Sequence, residues 1–157
     1  MSQTIRPAAI RKSLTVAASP EKAFKVFTDG FDRWWPKSHT IGKAPLAKAI
    51  IEPREGGRWY GVDENGHEDD WGDVLAWEPP GRLLLAWRIN GAFAYDPNVF
   101  TEVEVRFTET AEGHTHVDFE HRHLENLGAN AEHGRAMMDS PNGWGGILEG
   151  FKRAAES

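Results

Sequence analysis

The sequence predicts an α+β fold: an antiparallel sheet of about six or seven strands, two short helices after the first strand, and a long amphipathic C-terminal helix lying across the sheet. Three observations carry this expectation. Apolar and polar residues alternate at Leu83, Leu85, Trp87, Ile89, at Val103, Val105, Phe107 and at Val117, Phe119, His121, the period of strands with one dry face. Turn signals of hairpin length separate these runs. Trp144, Ile147, Leu148, Phe151 and Ala155 fall at i, i+3, i+4, i+7 and i+11, one stripe of a helix.

In chain order, Ile10, Leu14 and Val16 alternate with Arg11, Ser13 and Thr15, so residues 8–17 read as a strand, with Lys12 the odd residue on its dry side. Ser19-Pro20-Glu21 supplies an N-cap, a proline at the first helical position and an early acid; Ala23, Phe24 and Phe27 follow at helical spacing, and Gly30 is a stop. Phe31 to Trp35 add one turn, which Pro36 ends because the residue before a proline is pushed out of the helical region. From about 47 to 124 the signals are strands and turns: Glu55-Gly56-Gly57 and Glu64-Asn65-Gly66 flank RWYGVD, and Glu78-Pro79-Pro80-Gly81 separates WGDVLAW from RLLLAWRI. Glu102, Glu104, Arg106 and Thr108 fill the wet face of their strand, which makes an antiparallel meander with one apolar side. GANAEHGRAMM is a weaker helical stretch with two glycines, and Asp139-Ser140-Pro141 starts the covering helix.

A chain of 157 residues without repeats or linkers fits one domain, residues 1–157, with its core at about 8–155. Eighteen Lys and Arg against 24 Asp and Glu, net charge −6, argue against nucleic acid or an anionic membrane as partner. The absence of cysteine excludes disulfides, thiol nucleophiles and thiolate metal sites. Neither a signal peptide nor an apolar span is legible, so a cytoplasmic location is the default expectation. The surplus is aromatic: seven Trp and eight Phe against two Tyr.

Two of these tryptophans are adjacent in GFDRWWPKSHTIG. Neighbours in a helix point about 100° apart and neighbours in a strand point to opposite faces, so one core does not easily take both Trp34 and Trp35. The expectation is a pocket rim, one ring facing a cavity and the other sealing helix to sheet. Trp71 and Trp77 share one strand parity, Trp87 projects with Leu83 and Leu85, and Trp144 heads the covering stripe. Large flat rings meeting at one place leave gaps at ordinary packing density.

Histidines form the second cluster. Parity puts His114, His116, Asp118 and Glu120 on one face and Val117, Phe119, His121 and His123 on the other. That split, with no cysteine, leaves no tetrahedral set on this strand, so no metal and no cofactor are expected. His121, on the dry side, is either a hydrogen-bonded structural residue or a polar anchor for ligand. For acid–base chemistry the available groups are His39, His121, Glu68, Asp70 and Asp73, with His121 and His39 the catalytic candidates. No Gly-x-Ser-x-Gly elbow, phosphate loop or His-Glu-x-x-His helix is present.

The element order, together with FTDGFDRWWP, IEPREGGRWY, DWGDVLAWEPPGRLLLAWRI, TEVEVRFTET, VDFEHRHLENLG and GWGGILEGF, resembles the START-like (SRPBCC) superfamily, in the branch grouped with the activator of the heat-shock-protein-90 ATPase. The resemblance implies a helix-grip fold, a sheet curved around the last helix. It further implies a cavity for sterols, lipids, polyketides or plant hormones, cyclisation or dehydration in some relatives, and a stress-response role. Three readings follow. One is a module binding an apolar or amphipathic small molecule, with Trp34, Trp35, Trp59, Trp71, Trp87, Phe93, Tyr95 and Trp144 as walls and His121 as anchor. The others are a cyclase-, dehydratase- or hydrolase-type cavity enzyme using His121 or His39, and a chaperone-interacting protein engaging its partner through a charged outer sheet face. A homodimer is compatible with each.

Overall fold

The computed structural model describes residues 8–128 and 131–157. Seven strands form one antiparallel sheet in the order β1-β7-β6-β5-β4-β3-β2. They are β1 (Ile10–Val16), β2 (Leu46–Ile51), β3 (Arg58–Asp63), β4 (Glu68–Glu78), β5 (Arg82–Trp87), β6 (Thr101–Ala111) and β7 (His114–Arg122). Strands β2 to β7 run as a meander, and β1 closes the far edge by pairing Ile10 with His121 and Val16 with Thr115. The first strand therefore lies beside the last. The sheet curls around the C-terminal helix, a helix-grip fold.

Helix α1 (Pro20–Thr28) starts as its cap chemistry requires, with Lys22 N–H donating to Ser19 Oγ at 3.2 Å and Pro20 in the first turn. The short α2 (Phe31–Trp34) ends where Trp35 turns extended, φ −68° and ψ 128°, ahead of Pro36. That single backbone change parts the paired tryptophans: their rings lie 6.3 Å apart at 64°.

The C-terminal helix is shorter than its stripe suggests. Helix α3 (Ala131–Met138) and helix α4 (Gly146–Glu156) are separated by a wide π-type turn, Pro141–Gly145, in which Gly143 is non-helical at φ −96°, ψ −139°. A β-carbon on Gly143 would lie 2.1 Å from the Met138 carbonyl oxygen, so this corner closes only around glycine. Trp144 sits in the turn, ahead of α4. A 3₁₀ turn (Leu124–Leu127) precedes the stretch read as weakly helical, of which residues 129–130 lie outside the described residues.

Beneath α1 and α4 the interior is filled. Phe27 meets Trp34, Phe107 and Phe151 at ring distances of 4.9, 5.9 and 5.1 Å, and Phe24 meets Trp77 and Phe107 at 5.1 and 5.4 Å, mostly edge to face. Such pairs add about 0.5–1.5 kcal/mol each beyond the area they bury. Ile147, Leu148, Phe151 and Ala155 of α4 are buried, while Glu149 and Arg153 are exposed.

One expectation from strand parity is met and one is corrected. Lys12 lies on the dry side of β1, partly buried in line with Ile10, Leu14 and Val16, and its ammonium reaches the helical cover to pair with Asp139 at 2.8 Å. His123 does not share the face of His121. Its backbone turns left-handed at φ 64°, the strand ends, and the half-exposed ring lies 3.3 Å from Glu102.

Candidate functional site

A cavity of about 450 Å³ opens at the end of the sheet where the covering helix is broken. Its walls come from four separate stretches: Trp35, Ser38, His39, Thr40 and Ile41 after α2; Trp71 and Trp87 from β4 and β5; Ile89 and Phe93 from the loop that follows; and Met137, Met138, Ser140, Gly143, Trp144 and Ile147 around the α3–α4 corner. The four indoles are buried, whereas Ser38 is exposed and His39, Thr40 and Ser140 are half-buried. The floor is therefore aromatic and the mouth is polar.

Local devices aim these rings. Trp59 pairs with Gly72 and Tyr60 with Asp70, so Trp71 is the extra residue of a β-bulge; Val74 pairs with Leu85 and Ala76 with Leu84, which makes Leu75 a second one. The first bulge turns Trp71 inward beside Gly72. Gly72 has no room for a side chain, since a β-carbon there would stand 1.7 Å from the Ala86 carbonyl oxygen. The common parity of Trp71 and Trp77 survives because two shifts cancel.

Trp35 donates its indole N–H to the His39 carbonyl at 3.0 Å, which folds the following loop over the cavity, and Ser38 Oγ lies 3.1 Å from His39 Nδ1. Phe93 holds a left-handed conformation, φ 60°, sparsely used by bulky residues, within a loop knotted by Asn90 Oδ1 accepting from the N–H groups of Ala92 and Ala94. Its ring is partly exposed at the mouth.

Of the residues singled out from sequence, Trp35, Trp71, Trp87, Phe93, Trp144 and His39 meet around this cavity. The others lie elsewhere. Trp34 seals α2 against α1 and α4, its N–H bonded to the Val26 carbonyl at 2.9 Å. Trp59 lies behind Trp71 and Trp87 at 5.9 and 5.4 Å, and Tyr95 bridges Ile89 on the exposed side of its loop. His121 is wholly buried outside the lining: Trp144 Nε1–H donates to its Nδ1 at 3.1 Å, and its Nε2 faces Thr101 Oγ1 at 2.9 Å. Burial pushes its pKa down to about 3, so the ring is neutral. No ligand atom reaches a ring enclosed in this way, so an anchor or acid–base role at His121 has no access to the cavity.

The acids available for acid–base chemistry, Glu68, Asp70 and Asp73, lie on the outer face and are paired with arginines. Arg58 pairs with Glu68 and Asp70 at 2.9 and 2.8 Å, and Arg88 with Asp73 at 2.8 Å. The face continues as an ion-pair ladder: Arg82 to Glu104, Arg122 to Glu102, Glu104 and Glu120, and Arg11 to Glu120. Partial burial pushes the Glu104 carboxyl up, but hydrogen bonds from Arg82, Arg106 and Arg122 outweigh it and hold the group below the ordinary range. His116 pairs with Asp118 at 3.1 Å, and among the described residues no group of three His, Asp or Glu is placed to hold a metal ion.

The sequence reading missed Ser38, Thr40, Ile41, Ile89, Met137, Met138, Ser140, Gly143 and Ile147 as cavity residues. Met137 and Met138 carried a signal, two adjacent apolar residues in a stretch of poor helical periodicity, and the structure leaves Met137 half exposed. The rest become neighbours only when distant segments meet.

The family model for Activator of Hsp90 ATPase homolog 1-like protein matches residues 17–156. The chain belongs to this family. No curated protein sequence matches it. Among solved structures, it is similar to an anthrahydroquino-Gama-pyrone synthase, Txn09, complexed with SUM, at 37% identity over 95% of this chain and 97% of that one, TM-score 0.67. It is also similar to CalC of Micromonospora echinospora, a self-sacrificing resistance protein, at 36% identity over 94% of both chains, TM-score 0.68. PFC0360w, an HSP90 activator of Plasmodium falciparum, shares the fold at 17% identity over 74% of this chain and 73% of that one, TM-score 0.53. One architecture thus serves proteins of quite different activity. Among the described residues no helix is long and apolar enough to cross a membrane.

Proposed function

We propose that this family member binds a flat, largely apolar small molecule with a polar edge in the cavity between Trp35, Trp71, Trp87 and Trp144. The observation that carries this reading is the division of the cavity into a buried aromatic floor and a mouth bearing Ser38, His39, Thr40 and Ser140. A space of about 450 Å³ lies within the range of small-molecule sites, and few polar groups among many apolar ones is their usual make-up. Native mass spectrometry of freshly purified protein tests it, with titration of 1,8-dihydroxyanthraquinone as a flat probe. Saturable quenching of tryptophan fluorescence that Trp144→Ala abolishes supports the proposal; no retained molecule together with no quenching refutes it.

A second reading, chemistry on the bound molecule, is favoured by one specific observation: His39 lies on the cavity wall in a chain 37% identical to a synthase. A molecule recovered from the protein and returned to it would be converted by the native chain and not by His39→Phe. Unchanged recovery from both would leave binding alone. The chaperone-partner reading rests on the family description, and the outer sheet face it would use carries charges already paired with one another.

A further inference from the structure

The buried imidazole of His121 lies behind the cavity and is tied to two of its walls. Its ring stands 5.1 Å from Trp87 and 5.9 Å from Trp144, which are 5.6 Å from each other, all three pairs edge to face. An indole N–H only donates, so Nδ1 of His121 is the acceptor in the 3.1 Å contact with Trp144. A neutral imidazole then carries its proton on Nε2, which donates to Thr101 Oγ1 at 2.9 Å. The Thr101 hydroxyl in turn donates to the Trp87 main-chain carbonyl at 2.9 Å, and the Trp87 indole donates to the Ile89 carbonyl at 3.0 Å. The direction of this chain is fixed from the Trp144 indole to the Trp87 main-chain carbonyl, and the Trp87 indole is held separately by Ile89. Its two ends, Trp144 at one and Trp87 with Ile89 at the other, line the cavity; the two middle members do not.

We propose that His121, itself held by Thr101, is a positioning residue that locks the Trp144 indole in one orientation against Trp87, and so sets the width of the slot that receives the ligand. This rests on the cavity being a ligand site. Trp144 needs such a lock more than its neighbours do, because it stands in the irregular turn before α4, where helix geometry does not fix it. Packing alone would be served by a phenyl ring; a directional relay adds the orientation that preorganises a site.

The test uses the full chain, ¹⁵N-labelled, as wild type, His121→Phe, His121→Asn and Thr101→Val. Asparagine keeps an amide oxygen near the place of Nδ1 and so keeps an acceptor for Trp144. His121→Phe is expected to release the Trp144 indole N–H, seen as a shifted resonance and faster hydrogen exchange, and to weaken 1,8-dihydroxyanthraquinone on the order of tenfold. His121→Asn should recover most of both, while Thr101→Val, which removes the partner of Nε2 but keeps the Nδ1 acceptor, should give a smaller shift of the Trp144 resonance and a smaller loss of probe affinity. An unchanged Trp144 resonance and exchange in His121→Phe overturns the proposal whatever the probe does, as does His121→Asn being as impaired as His121→Phe with the fold intact. Should His121→Phe fail to fold, His121→Asn against Thr101→Val carries the same comparison. Failure of the ligand reading looks different: no probe binding by wild type, with the indole signal still dependent on His121.

Discussion

The aromatic interior has two ends built from the same residue types: one is closely interlocked, with a pocket of about 310 Å³ only at its outer edge beside Phe24 and Trp77, and the other encloses the cavity. Under α1 and α4, Phe24, Phe27, Trp34, Phe107 and Phe151 interlock, because two regular helices bring side chains down at fixed spacing onto a regular strand face. Under the α3–α4 corner, Trp35, Trp71, Trp87 and Trp144 surround a cavity, because the helix is interrupted at Gly143 and the cover is made by loops. Aromatic content is therefore not what makes a pocket here. A break in the covering helix is, with bulges that bring extra rings to its edge.

The sharpest way to break this comparison is to damage the filled end alone. Phe151→Ala should cost about 3–5 kcal/mol in chemical denaturation, the range for a buried aromatic, while the folded fraction still binds the flat probe. A loss under about 1 kcal/mol would mean that α4 does not cover the core. The next effect is at the corner. Gly143→Ala brings a β-carbon against the Met138 carbonyl and should cost about 1–3 kcal/mol, with probe affinity lost out of proportion, measured by titration at a denaturant-free temperature where the variant is folded.

A smaller effect follows pH. His121 is neutral in the fold, with its pKa pushed down to about 3 by burial from an ordinary 6.5. Its contribution is fully present above pH 6.5 and is lost as pH falls toward 3, because in that window the unfolded chain binds a proton that the folded chain refuses. The slope from this group is at most about 1.4 kcal/mol per pH unit. Urea denaturation at pH 7 and pH 5 should show the decline in wild type and a flatter dependence in His121→Phe; equal dependence in both would place the titration elsewhere.

The smallest effect separates rings within the hollow end. Trp35, Trp87 and Trp144 donate their indole N–H groups, whereas those of Trp59 and Trp71 are buried with no partner among the described residues. Trp71→Phe removes a group that burial leaves unpaired, which offsets the lost volume, and stability should stay within about 1 kcal/mol of wild type. A much larger loss would mean that the N–H is bonded after all.

The sequence by itself determined the repeating parts. Alternation in β5, β6 and β7 put Leu83, Val105 and Phe119 inward, the Ser19-Pro20 cap started α1, and the stripe Ile147, Leu148, Phe151 chose the buried side of α4, because period and capping are properties of a few consecutive residues. Pro36 likewise announced the parting of Trp34 from Trp35. What tertiary structure decided was whatever depends on segments meeting. Which of the two rings faces the cavity, the inward turn of Trp71 at a bulge, the departure of His123 from its strand and the enclosure of His121 by Thr101 and Trp144 each need a partner from another element. The cavity is the extreme case: its walls come from stretches around residues 35, 71, 89 and 140, and a void among them is defined by what four separate backbones fail to fill, a quantity that no local pattern encodes.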